Sequence, residues 1–218
     1  MTGGAPGKPD TSARSTAADR AAAFLFVHDL FRLPSAGQWA WIGRDETRRP
    51  WAALAEALGL PGPDEISLPS EERRYESEFI SAFEAGAPTP AVPLMESHYS
   101  RRGPTGLILQ ENVLFYRRFG LRLKNGTTEN ADHLRSQLEF VAHLYRLESH
   151  ELSASGSEER LGSIRRARGE FVDRHLLGWL PAAESRAAGA APPWAAAYIA
   201  LARRLVDGMA EDPRPTSD

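Results

Sequence analysis

The chain has 218 residues, with 26 Lys and Arg against 29 Asp and Glu, and no cysteine. That length suits one large domain or two small ones with a real core, and the near-neutral balance lacks the basic field that nucleic acid or an anionic membrane would call for. Without cysteine there is no disulfide, thiolate metal site, cysteine nucleophile or iron–sulfur ligation, which fits a cytoplasmic setting.

Residues 1–15, rich in Gly, Pro, Ser and Thr, read as a disordered tail, as does 211–218, "EDPRPTSD". Between them, 16–210 reads as one all-α domain, a single helical bundle. The run "AAAFLFV" after Arg20 is followed by "HDLFR" with no small-residue cleavage site, so it is not expected to be a signal peptide. No stretch reaches the roughly 18 apolar residues of a membrane span. Phe24, Val27 and Phe31 give the apolar side of a first helix, ended by Pro34. Trp51, Leu54, Ala55 and Leu58 give a second, with Pro50 at its start and Gly59 at its end. Trp39 and Trp41, in the segment between, suit core packing as well as a binding surface.

Tyr75, Phe79 and Phe83, at four-residue steps, mark a third helix over Glu71 to Glu84. The Pro/Gly-rich connection "APTPAVPLMESHYSRRGPTG" follows, too long for a turn alone. "ILQENVLFYRRFG" is a further helix stopped by Gly120. "TTENADHLRSQLEFVAHLYRLESHEL", Thr127 to Leu152, is another, carrying three of the chain's six histidines. "SGSEERLGSIRRARGEFVDRHLLGWLP" opens with a cap at Ser157 and is expected to end at Pro181. A last helix runs from about Trp194 to Met209 after "PP". The alternation needed for a sheet is missing.

In the Thr127–Leu152 stretch, a 100° step per residue puts Leu134, Leu138, Val141 and Tyr145 on one side. Asp132, Glu139, His143 and His150 fall opposite. Glu-x-x-His metal pairs point inward among the apolar positions of a bundle, whereas Glu139 and His143 point away. The stripe therefore reads as a solvated face. The basic run "SIRRARGE" reads the same way. His28–Asp29 heads the rival reading, a metal-dependent helical phosphohydrolase, although a histidine packed by its ring and bonded through one nitrogen explains it more simply. There is no Gly-rich phosphate loop, no G-x-S-x-G and no H-E-x-x-H.

The order of the motifs resembles the TorD/DmsD/NarJ family of redox-enzyme maturation chaperones. "VPLMESHY" resembles the family's proline-rich segment, "NVLFYRRFGLRL" its helix with an aromatic pair and a glycine stop, and "ENADHLRSQLEFVAHL" its E-P-x-D-H signature and the helix after it. "FVDRHLLGWLP" and "PPWAAAYIALARRLV" resemble its H-L-x-x-W segment and final helix. Together these span about Ala91 to Val206. Asn130 stands where the family has proline; its side chain is expected to cap the helix by another route. The resemblance implies a cytoplasmic, non-enzymatic, all-helical chaperone without a cofactor, either monomer or homodimer. It would bind the twin-arginine signal peptide of a molybdopterin-containing catalytic subunit of the DMSO-reductase family. "LEFVAHL", the N-terminal tail and the Pro/Gly connection lean toward chaperones of the dimethylsulfide-dehydrogenase or ethylbenzene-dehydrogenase type. Such a peptide offers two arginines and an apolar stretch, so its binder needs carboxylates beside an apolar groove. Glu129, Asp132 and Glu96 are the expected carboxylates, with Met95, Tyr99 and Tyr116 as the apolar wall. His133, titrating near neutral pH, would add pH sensitivity.

Overall fold

A computed structural model describes residues 11–35, 37–123, 131–154 and 156–210. Among them the chain is helical with no strand; one isolated antiparallel bridge joins Met95 and His133. The helices are α1 (Thr11–Leu30), α2 (Gln38–Gly43), α3 (Asp45–Leu58), α4 (Glu72–Phe79), α5 (Thr105–Arg118), α6 (Leu134–Ser153), α7 (Glu158–His175), α8 (Leu180–Ala190) and α9 (Pro193–Ala210). Helix α1 begins at Thr11, inside the stretch expected to be a tail.

Helices α1 and α6 form the central pair, with α7 against α6, α3 and α9 against α1, and α8 against α9. The pairing follows from composition. Ala17 and Ala21, four residues apart on α1, are buried and small enough to let a neighbouring helix approach. Phe24 of α1 then stacks on Tyr145 of α6 at 5.9 Å. Two aromatic groups stand out within the core. Phe31, Tyr75, Phe79, Phe83, Trp194 and Tyr198 meet in one, and Phe140 is ringed by Phe115, Tyr116, Phe119 and Phe171 in the other. Fully burying one such ring contributes roughly 1.5–3 kcal/mol.

Four boundaries differ from the periodicity reading. Pro50 lies inside α3, whose first turn is Asp45 and Glu46 rather than Pro50 itself. The acidic pair faces the positive end of the helix dipole. Trp39 and Trp41 sit in the short helix α2, half-buried against the core, and the Trp39 indole donates to the Pro69 carbonyl at 2.9 Å. Helix α7 ends at His175, and Pro181 opens α8 instead of closing α7. Proline fits there because the N–H it lacks has no partner in a first helical turn. Helix α6 starts at Leu134 with His133 as its N-cap; Asn130, expected to cap it, lies outside the described residues. The Ser157 cap holds as expected, its hydroxyl accepting from the Arg160 N–H.

Helix α4 runs on into a π-helical turn, Ile80–Glu84, closed by the Ala85 N–H on the Ile80 carbonyl at 2.8 Å. The wider turn lets the Ser81 and Ala82 carbonyls accept the N–H groups of Ala91 and Val92. The chain is thus folded back on itself before it enters "VPLMESHY".

Candidate functional site

The bridge between Met95 and His133 sets the site. The Leu134 N–H donates to the Leu94 carbonyl at 2.7 Å, and the Glu96 N–H to the Asp132 carbonyl at 3.0 Å. Asp132 Oδ2 accepts the Ser97 N–H at 3.0 Å, while its Oδ1 is buried without a partner among the described residues. These bonds pin the segment carrying Glu96 across the start of α6.

Glu96 is 1% exposed and sits at the centre of a polar cluster drawn from four parts of the chain. Its Oε2 accepts from Gln137 Nε2 at 2.8 Å, His175 Nδ1 at 3.0 Å and Asn112 Nδ2 at 3.2 Å. Its Oε1 accepts from Arg102 Nη2 at 2.5 Å. Gln137 also donates to Asn112 Oδ1 at 3.2 Å, and the Trp179 indole N–H lies 3.2 Å from Gln137 Oε1 and 2.6 Å from the His175 carbonyl. Burial works against the charged carboxylate, but the hydrogen bond and charge of His175, helped by Asn112 and Arg102, hold Glu96 below the ordinary range. Because His175 Nδ1 donates to Glu96, it cannot also accept from Asn112, 3.1 Å away. The other nitrogen, Nε2, is buried with no partner among the described residues.

The expected peptide-binding residues divide by depth. Met95 and Tyr99 are half-buried, and the Tyr99 ring stacks on Trp179 at 5.4 Å. Burial pushes the Tyr99 hydroxyl up to about 12, against the pull of Arg186. Tyr116 is buried, with its hydroxyl donating to the Ala131 carbonyl at 2.6 Å. Burial, then the carboxylates of Asp132, Glu96 and Glu139, raise its pKa well above the usual phenol value. Glu129 lies outside the described residues.

Asp132 is not on the wet face where helical spacing put it; it is wholly buried, because it precedes α6 and folds back onto Ser97. Glu139 and His150 are exposed as expected, but His143 is half-buried with Nε2 3.1 Å from the Phe119 carbonyl. His133 does not titrate near neutral pH. Burial, then Arg135 and His28, push it down to about 4, and its Nδ1 accepts the Arg135 N–H at 3.1 Å.

His28 is held through both nitrogens: Nδ1 lies 3.1 Å from Asp29 Oδ1, and Nε2 accepts from Arg135 at 3.2 Å. A guanidinium on Nε2 blocks the position a metal ion would take. No group of three or more His, Asp or Glu that could hold a metal occurs among the described residues. The "SIRRARGE" run is not a wholly solvated face either, since Arg168 is buried against Glu148 and Arg165 Nε pairs with the same carboxylate at 2.6 Å. Arg168 also lies over the Tyr145 ring at 3.9 Å.

Asn112, Gln137 and His175 were not anticipated. A signal for them exists: each is a polar residue standing in an apolar row, with Ile108 and Tyr116 around Asn112, Leu134 and Val141 around Gln137, and Phe171 before His175.

The family model described as "Nitrate reductase delta subunit" matches residues 44–184, a span that contains every member of the Glu96 cluster. The chain belongs to this family. The expected kinship with the TorD/DmsD/NarJ chaperones is met in its relatives. The chain is 34% identical to the perchlorate reductase assembly chaperone protein of Dechloromonas aromatica, over 73% of this chain and 70% of that one. It is likewise 34% identical to the selenate reductase assembly chaperone protein of Thauera selenatis, over 74% and 72%. The chaperone protein TorD of Vibrio cholerae shares 38% identity over 31% of this chain and 29% of its own. A solved chain from Archaeoglobus fulgidus aligns with 71% of this chain and 94% of its own length at 20% identity, with a TM-score of 0.39, too loose a likeness to argue from. Among the described residues no helix is long and apolar enough to cross a membrane.

Proposed function

We propose that this family member is a cytoplasmic assembly chaperone, not an enzyme, for a molybdopterin-containing oxidoreductase of the DMSO-reductase family. It binds the twin-arginine signal peptide of the catalytic subunit and delays export until the cofactor is in place. The observation that carries the reading is the shared descent with chaperones named for perchlorate and selenate reductases, extending over most of the chain.

The geometry supports it in two ways. Glu96 and Asp132 carry two buried carboxyl groups on the segments that the Met95–His133 bridge joins, which suits capture of a guanidinium beside apolar side chains. Helix α5 turns Leu107 and Leu114, 55% and 57% exposed and two turns apart on one face, away from the core. Large apolar side chains left open in a row suit the apolar stretch that follows the arginines. Glu129, three residues ahead of Asp132 in the sequence, and His133, as the cap that fixes the turn, complete the proposed site.

Titration calorimetry tests it with a synthetic peptide of Ser-Arg-Arg followed by an apolar Ala/Leu run. The arginine peptide is expected to bind, and its Ser-Lys-Lys counterpart to bind at least tenfold more weakly, because a compact ammonium cannot make the planar bidentate contact. Equal affinity for the two would remove the signal-peptide reading.

A further inference from the structure

We infer that the Glu96 carboxylate is a guanidinium-binding site and that Arg102 occupies it as a stand-in for the client's own arginine. This rests on the signal-peptide reading and specifies how that site is regulated. Glu96 is 1% exposed, yet the side chain that covers its Oε1 is 39% exposed. Gln137, Asn112 and His175 all reach Glu96 from helices within the bundle and crowd onto Oε2. Oε1 instead takes its partner from the exposed connection, the Arg102 guanidinium at 2.5 Å.

The sequence around Arg102 repeats the pattern of the ligand. Ser100-Arg101-Arg102 is followed, after a Gly-Pro-Thr-Gly spacer, by Leu107-Ile108-Leu109. This is a pair of arginines ahead of an apolar run, with Leu107 exposed on the same segment. Arg101 and Arg102 are both exposed, and the Arg102 guanidinium reaches Glu96. Apart from its bond to Glu96, the contacts of the Arg102 guanidinium are long: its second terminal nitrogen lies 3.5 Å from Glu111 Oε2, and Glu111 is itself 39% exposed. A tethered group of this kind competes with an incoming one at a high effective concentration. An arriving arginine takes over Oε1 while Arg102 swings into solvent, where Glu111 remains within reach. Glu96 is never left as a bare buried charge during the exchange, which would otherwise be costly.

The test compares the same Ser-Arg-Arg peptide on the full chain and on two variants, with circular dichroism confirming fold. If Arg102 fills the site roughly nine times in ten, Arg102→Ala tightens the peptide about tenfold. Glu111→Gln loosens Arg102 without touching Glu96 and tightens binding by a smaller factor, and it decides the matter if Arg102→Ala does not fold. Unchanged or weaker binding by the folded variants, with the wild type binding normally, overturns the stand-in and leaves the signal-peptide reading intact. No binding by the wild type or either variant overturns both. Binding that emerges only when Arg102 is removed supports the stand-in most directly.

Discussion

At the scale of single residues, His133 shows how a position can be found for one reason and matter for another. It was picked out within "ENADH" as a titrating group, but its imidazole is an N-cap whose Nδ1 accepts from Arg135. With its folded value near 4 against about 6.5 when unfolded, His133 takes up a proton more readily in the unfolded chain. Its contribution is therefore complete above pH 6.5 and is lost as the pH falls toward 4. His133→Asn keeps a capping acceptor and removes the titration. Urea melts between pH 7 and pH 5 should show the wild type losing on the order of 1 kcal/mol more than the variant; parallel losses would show that His133 is protonated as easily folded as unfolded. Of the candidate site, Glu96, Asp132, Tyr99 and Tyr116 are the described residues that the sequence singles out beside Met95 and His133. Their depth is not legible there, because burial depends on which elements close over a residue. Asn112, Gln137 and His175 converge from three helices with no fixed spacing between them.

At the scale of elements, large apolar side chains at helical intervals revealed α1, α3, α4 and α6 because each buries one face. Helix α8 was missed for the complementary reason. "LPAAESRAAGA" packs through Leu180, Ala183 and Ala187, and small side chains leave little contrast between faces. The connection after the π-helical turn was recognised as too long to be idle, and it is also tightly built. A Cβ on Gly86 would stand 2.2 Å from the Thr89 carbonyl oxygen, a backbone atom with nowhere simple to go. Gly86→Ala should destabilise the protein by roughly 1–3 kcal/mol, as overpacked positions do. It should also weaken Ser-Arg-Arg peptide binding, because the shift is passed along toward Met95 and Glu96. A melt indistinguishable from wild type would show that the connection yields locally.

For the whole molecule, buried residues from α1 through α9 form one connected core cluster. The expectation of a single domain over 16–210 thus becomes a question of cooperativity. Tryptophans in α2, α3 and α9 and just ahead of α8 report on opposite parts of that core. Urea unfolding followed by indole fluorescence and by helical circular dichroism should give coincident midpoints, and an early fluorescence transition would divide the bundle in two.

The connection that carries Glu96 is fastened from two directions. The π-helical turn accepts the N–H groups of Ala91 and Val92, and from α8 the Arg186 guanidinium donates to the carbonyls of Pro90 and Ala91. Nearly all of the ordering entropy of this strap is therefore spent during folding, before any partner arrives. Backbone ordering costs about 1–2 kcal/mol per residue, so a client that meets the strap already in place keeps that much more of its contact energy as affinity. In the proposed exchange, what moves on binding is the Arg102 side chain.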